Sequence, residues 1–224
     1  MRKRENERED PIQRVRRVFD IAAPWYRLFD RFSMPLYREL IEELRRHLPL
    51  TEKTRVLEVC CGTGVFARML AKRCGRVVAV DISPRMIETA KKYDTEGLVD
   101  FRVADARNPV PTGDGPFDLV IESLGLHALA PEIRADIIEG MRRHTKGYAL
   151  FIEPTGGGSP LSRAINHLLE RLEGGYDDYC SFISLDFSEY LKGHGFIPRR
   201  LASRRDERAA VYLCRVRRES DGAD

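Results

Sequence analysis

The chain has 224 residues, 42% of them hydrophobic and 33% charged, which indicates a globular protein long enough for one domain with a full-sized core. A formal net charge of +3 is too small to single out nucleic acid as a partner, although basic residues crowd both ends. No apolar run approaches the length of a membrane span, and the charged start is unlike a signal peptide. Five cysteines (Cys60, Cys61, Cys74, Cys180, Cys214), odd in number and without a CxxC pair, are expected as reduced thiols of a cytoplasmic protein rather than as disulfides or zinc ligands.

Residues 1–10 are charged almost throughout and read as a disordered tail. From Pro11, the apolar residues Ile12, Val15, Val18 and Phe19 recur at helical spacing, with arginines on the other face. A helix packed on its own domain and a helix lying on a membrane surface share this pattern; the first is the preferred reading, and peripheral membrane contact stays open. A second helix is expected over residues 35–47, closed by Pro49, so that 11–48 form a helical cap.

The run Val56-Leu57-Glu58-Val59 reads as a buried parallel strand that ends at Cys60-Cys61-Gly62-Thr63-Gly64, with a helix expected over 64–73. Glycine is needed where a strand turns sharply into a helix and where a ligand must approach bare backbone, and the helix start then presents unpaired N–H groups. A second strand, 76–81, ends in Asp81, where a ribose-binding carboxylate belongs in a βαβ unit. Ser83-Pro84 opens a helix over 84–93, and a third strand, 99–104, runs into Asp105. Three acids, Glu58, Asp81 and Asp105, thus fall at or near the carboxyl edge of one sheet around a glycine turn, an arrangement that points to a nucleotide site.

The chain continues with a Pro- and Gly-rich loop over 108–116, a strand over 117–122, a helix over 131–143 and a strand over 147–153. Thr155-Gly156-Gly157-Gly158-Ser159-Pro160 reads as a flexible break. Leu161, Ile165, Leu168, Leu169 and Leu172 then mark an amphipathic helix ended by Gly174-Gly175. An aromatic, polar loop over 176–184, a helix over 186–193 and two strands, about 196–203 and 209–215, joined by the charged turn Arg204 to Arg208, complete the expected order. The fold class is α/β, a doubly wound, mostly parallel seven-stranded sheet with helices at the amino end and an antiparallel strand pair at the carboxyl end. The expected organisation is a cofactor-binding core over 49–155, an acceptor-side lid over 156–195 and terminal strands over 196–218.

Glu58-x-Cys60-Cys61-Gly62-Thr63-Gly64, Val80-Asp81-Ile82-Ser83, Ala104-Asp105-Ala106 and Phe117-Asp118-Leu119-Val120 come in the order found in class I S-adenosylmethionine-dependent methyltransferases, which the chain resembles over roughly residues 50–155. Where such enzymes usually have glycine this chain has Cys60, whose thiol is expected to narrow the cofactor cleft. Val18-Phe19 through Ala23 and Tyr26 to Asp30 and Ser33 resembles the amino-terminal signature of the ubiquinone/menaquinone C-methyltransferases. There the tyrosine lies over the cofactor, a role that passes to Tyr26, while Arg27 stands where that family has Asp.

The resemblance implies S-adenosylmethionine as cofactor and a set of roles. Asp81 would accept from the two ribose hydroxyls, Ile82 would pack on the adenine, and Asp105, with the Ala106 backbone, would receive the adenine amino group. Glu58 suits the ammonium of the methionine part. Cys60, Gly62, Thr63, Gly64 and Ser123 complete the expected binding residues. A general base is needed only if the acceptor must lose a proton, and His127, just past the fourth strand, is the candidate. No metal-ligand cluster, catalytic triad or cysteine nucleophile stands out. The quinone enzymes have Gly-Leu-Arg-Asn-Val where this chain has Gly125-Leu126-His127-Ala128, so a quinone acceptor stays open. The leading expectation is methyl transfer to a small, partly apolar, lipid- or quinone-like acceptor, with residues 161–172 and 176–184 covering it. Without the Asn/Asp-Pro-Pro-aromatic motif after the fourth strand, nucleic acid is an unfavoured partner. A non-catalytic cofactor-binding protein and an NAD-binding domain remain as alternatives; oligomeric state is not legible.

Overall fold

The computed structural model describes residues 10–111, 113–173, 175–201 and 209–218. It contains a seven-stranded sheet in the order β3-β2-β1-β4-β5-β7-β6. The strands are β1 (Arg55–Val59), β2 (Arg76–Asp81), β3 (Val99–Val103), β4 (Phe117–Ser123), β5 (Thr145–Pro154), β6 (Phe196–Leu201) and β7 (Ala209–Val216). β1 to β5 pair in parallel, and β7 runs antiparallel to both β5 and β6. This is the fold class expected from the sequence. The turn expected over 204–208 and residues 1–9 of the tail expected over 1–10 lie outside the described residues, while Asp10 caps the first helix by accepting from the Ile12 N–H.

Strand residues alternate between two cores because successive side chains point to opposite faces of a pleated sheet. Val56, Val77, Leu119, Ile121 and Leu150 pack on one face with Tyr37, Leu40, Ile41, Leu44, Phe66 and Leu70. Leu57, Val78, Val120, Ala149 and Phe151 pack on the other with Ile133, Ile137, Ile138, Met141 and Leu191. A sheet covered on both faces needs the near-continuous apolar strands that this sequence supplies. The helices that do the covering are α1 (Pro11–His47), α2 (Val65–Ala71), α3 (Pro84–Tyr93), α4 (Pro131–His144) and α7 (Phe187–Gly193). Between β5 and α7 lie α5 (Pro160–Glu173) and α6 (Tyr176–Ile183).

Two segments differ from the sequence expectation. Instead of two helices separated by Trp25-Tyr26 and the residues after them, α1 is one helix of 37 residues with Pro24 and Pro35 inside it. Each proline removes one backbone hydrogen bond, but the inner face of the helix is buried on both sides of them, at Ile12 and Ala23 and at Tyr37, Leu40, Ile41 and Leu44. Packing therefore outweighs the local break. The stretch expected as a loop over 176–184 contains α6, because Tyr179 and Phe182, three residues apart, are both buried on its inner side.

β1 is flanked by β2 on one side and β4 on the other, so the strand order reverses there. In an open parallel sheet a ligand crevice forms outside the carboxyl ends of the strands at such a switch point.

Candidate active site

The turn after β1 is built from three left-handed residues: Cys60 at φ 54°, Gly62 at φ 52° and Gly64 at φ 70°. Only two are glycines, and each has a different reason. A Cβ on Gly62 would meet nothing within 4 Å, so the missing side chain leaves open space in front of the backbone. A Cβ on Gly64 would stand 2.4 Å from the Phe101 ring, so this residue lets α2 close onto β3. Cys60 adopts a conformation that costs a non-glycine residue strain.

The carboxyl edge of β1, β2 and β4 opens into a cleft of about 1080 Å³, mouth included. Of the residues expected at a cofactor site, Tyr26, Glu58, Cys60, Gly62, Thr63, Asp81, Ile82, Asp105, Ala106 and Ser123 line it. Gly64 stands behind it.

Glu58 is buried, accepts from the Ala67 N–H, and leaves Oε2 without a hydrogen-bond partner. Burial pushes its carboxyl up to about 8, against the smaller opposing effects of Ala67 and Arg68. Asp81 accepts from the Gly62 N–H through Oδ2 and from the Ser83 N–H through Oδ1, both at 2.9 Å. Burial raises it to about 6, with those two N–H groups pulling the other way. The same carboxylate therefore fixes the glycine turn and the start of α3 while retaining lone pairs toward the cleft. Burial works against a charge on Asp105 too, but a fork from Arg107 (Nε at 3.1 Å to Oδ1, Nη2 at 2.7 Å to Oδ2) outweighs it and lowers its pKa.

The fourth wall is α1, whose Ile12, Val15, Phe19, Tyr26, Asp30, Ser33 and Tyr37 face the cleft. Three side chains of this helix hold three different loops of the sheet edge. Ser83 Oγ donates to Asp20 Oδ1 at 2.6 Å, and Thr63 Oγ1 donates to Asp30 Oδ1 at 2.7 Å. The Tyr37 hydroxyl shares a hydrogen bond with Ser123 Oγ at 2.9 Å. Burial pushes the Tyr37 phenol well above its ordinary range. Tyr37 escapes the sequence reading, although Tyr26, Asp30, Ser33 and Tyr37 fall at helical spacing; a single unbroken helix would have put them on one face.

His127 lies in the 3₁₀ turn Leu126–Ala128 and is not among the residues that line the cleft. Its Nδ1 is 2.7 Å from Glu153 Oε2 and its Nε2 is 3.4 Å from Glu170 Oε1. Burial alone would lower its pKa, but Glu153 and then Glu170 outweigh burial and push it up to about 10. A neutral imidazole donates from one nitrogen only, so two carboxylate partners call for the imidazolium. This geometry does not suit the base expected at this position: both nitrogens are engaged and the ring holds its proton. His127 instead joins β5 to α5 beneath the cleft. Beside it, Glu122, 3 residues before Gly125, accepts the Gly125 N–H at 2.6 Å, and burial together with Glu153 pushes it well above the usual carboxylate range.

Of the apolar residues expected to cover an acceptor from α5, Leu161, Ile165 and Leu168 are exposed, and among the described residues none of α5 lines the cleft. Among the described residues no group of His, Cys, Asp and Glu is arranged to hold a metal ion, and no helix is long and apolar enough to cross a membrane.

Residues 56–147 match the family model described as a methyltransferase domain. A demethylmenaquinone methyltransferase of Lactiplantibacillus plantarum is 31% identical over 131 residues, 55% of each chain. A magnesium-protoporphyrin O-methyltransferase of Rhodobacter capsulatus is 40% identical over 97 residues, 41% of this chain and 42% of that one. The matched region thus spans about half the length of these relatives. Among solved structures, magnesium protoporphyrin IX methyltransferase of Synechocystis PCC 6803 with bound SAM superposes with a TM-score of 0.67 at 18% identity, over 94% of this chain and 98% of that one. Over residues 56–147 the chain is thus similar to a methyltransferase domain, and the seven-stranded sheet those residues enter is the fold of the solved methyltransferase.

Proposed function

We propose that the protein transfers a methyl group from S-adenosylmethionine to a small, partly apolar acceptor. The observation that carries this reading is the convergence of Glu58, Asp81 and Asp105, from the ends of three adjacent strands, on one cleft beside the open face of Gly62. The donor set fits the cofactor. The buried Oε2 of Glu58, without a partner, suits the ammonium of the methionine part; Asp81 suits two ribose hydroxyls; Asp105 and the Ala106 backbone suit the adenine edge, with Ile82 packed on its face. Tyr26 and Thr63 close over the same space from α1 and the glycine turn.

S-adenosylmethionine supplies an electrophilic methyl on a sulfonium that leaves as a neutral thioether. The residues of this chain need only position the acceptor and exclude water, and they need no acid for the leaving group. With three acids assigned to the cofactor, the polar groups left in the lining are Asp30, Ser33, Tyr37 and Ser123, set among Ile12, Val15, Phe19, Leu124, Leu129, Ile133 and Ile137. Such a wall suits an acceptor with one or two polar atoms on an apolar body. The relatives named for demethylmenaquinone and magnesium-protoporphyrin support a small-molecule acceptor. In this reading the Tyr37–Ser123 pair would hold an acceptor oxygen, a role other than the cofactor contact expected of Ser123.

The test is incubation with methyl-labelled S-adenosylmethionine and a cell extract, followed by partition of the label. Label in the organic phase supports the apolar acceptor, and label in the aqueous small-molecule fraction moves the search to polar metabolites. Tight binding of S-adenosylhomocysteine without any transfer would replace the enzyme by a non-catalytic binding protein.

A further inference from the structure

We propose that the outer face of α1, together with the exposed row of α5, docks on an anionic lipid bilayer. The apolar face that the sequence suggests for α1, Ile12, Val15 and Phe19, is turned into the cleft and is unavailable to lipid. The opposite face carries the case. Arg17, Ile21, Pro24, Trp25, Arg31, Pro35 and Arg38 are exposed and lie along one side of the helix. Ile21 is 69% and Trp25 73% exposed, large values for residues of this size.

Over residues 11–38 the charge on this face has one sign; the exposed acid beyond it, Glu42, is paired with Arg45 and Arg73. Between residues 11 and 38 the only acids are Asp20 and Asp30, and both are drawn inward by Ser83 and Thr63. What remains outside is arginine around an isoleucine and a tryptophan, the composition of a helix that lies in a headgroup layer. α5 adds Leu161, 71% exposed, and Leu168, 58% exposed, with Ile165, Arg163 and Arg171 also on its outside. The two helices flank α6: Arg14 of α1 pairs with Asp178 at 3.8 Å, and His167 of α5 packs its ring against Tyr176 and Tyr179.

Charge decides the occupant. A second copy of this chain meeting the same face would set arginines against arginines, whereas an anionic bilayer offers opposite charge to the arginines and an apolar layer to Ile21 and Trp25. Docking by this face would leave the inner side of α1, and the cleft behind it, next to the membrane surface. The inference stands apart from methyl transfer, because it concerns the outside of the helix.

The chain has one tryptophan, so Trp25 is its own reporter. The purified full chain, without cofactor, is titrated with phosphatidylcholine vesicles with and without phosphatidylglycerol, and both tryptophan emission and co-sedimentation are read. The expected result is a blue shift and sedimentation with the phosphatidylglycerol vesicles alone, weakened by added salt. Ile21→Ser and the double variant Arg31→Glu/Arg38→Glu are each expected to weaken sedimentation at least tenfold while S-adenosylhomocysteine binding and the circular dichroism melt stay as in the parent. No shift at low salt, or sedimentation that these variants leave intact, overturns the proposal. Self-association of the lipid-free chain that buries Trp25 overturns it in favour of a second copy.

Discussion

A side chain on Gly125 would have to enter the space that Cys60 fills: a Cβ built on Gly125 falls 2.8 Å from the Cys60 Cβ and 3.3 Å from its Sγ. Cys60 in turn holds a left-handed conformation at φ 54°, a strain of about 1–2 kcal/mol for a residue with a side chain. The two loops, after β1 and after β4, are thus fitted to one another. Gly125→Ala is expected to lower stability by about 1–3 kcal/mol through overpacking, and Cys60→Gly in the same chain to recover at least half of that. Urea unfolding of both single variants and the double variant measures the coupling. An equal loss with and without Cys60 would place the conflict with Glu122 Oε1, 3.0 Å from the same point.

Glu58 makes stability fall with rising pH. Its folded pKa of about 8 lies above the ordinary 4.5, so the native state binds the extra proton between those values. The contribution is complete below about 4.5 and is lost as pH rises through about 8. Glu58→Gln is expected to flatten this part of the stability profile, read by thermal unfolding across that range. An ammonium-bearing ligand should reverse the preference and expel the proton. Binding of S-adenosylhomocysteine near neutral pH is then expected to release protons in the parent and fewer in Glu58→Gln, seen as a dependence of binding enthalpy on buffer ionisation enthalpy.

The ribose assignment rests on Asp81. Asp81→Asn keeps the shape and one acceptor but loses the charge, and hydrogen bonds to charged groups contribute about 1.5–3 kcal/mol each. Affinity for S-adenosylhomocysteine is expected to drop more than tenfold in calorimetry. An unchanged affinity in a variant that melts normally would remove Asp81 from the site.

For His127 the sign is that of a cation with a raised pKa. It contributes stability that is fully present below about 6.5 and is lost as pH rises through about 10. His127→Gln strands Glu153 and Glu170 in a buried setting, and removing one partner of such a pair costs about 3–5 kcal/mol. Denaturant unfolding of the variant should show that loss. Methyl transfer, measured at a temperature where the variant is folded, should persist within a few fold; a collapse of turnover with cofactor affinity intact would restore the base role.

The central unit was legible because its rules are local. Apolar strands, a glycine turn and an acid at each strand end lie within short stretches, and the sheet order follows from the crossover rule. Helix α1 was legible only in pieces. Pro24 and Pro35 punctuate the sequence as breaks, and what overrides them is burial against β-strands that lie far along the chain, which no window of residues around a proline contains. The same long range hides the partners of Tyr37, 86 residues from Ser123, and of His127, 26 residues from Glu153. The sequence marks His127 as a titratable group beside a cleft; only the fold brings the carboxylates that decide its charge.

Ser83 and Thr63 donate to Asp20 and Asp30, and Tyr37 pairs with Ser123; these hydrogen bonds fasten α1 as a wall of the cleft. A ligand that touches this wall couples cleft occupancy to helix seating. Whatever fills the cleft and favours the seated helix also shields its backbone amides from exchange and its peptide bonds from proteases, to the extent of its own binding free energy. The amino-terminal helix is in this sense a gauge of occupancy that can be read without knowing the acceptor.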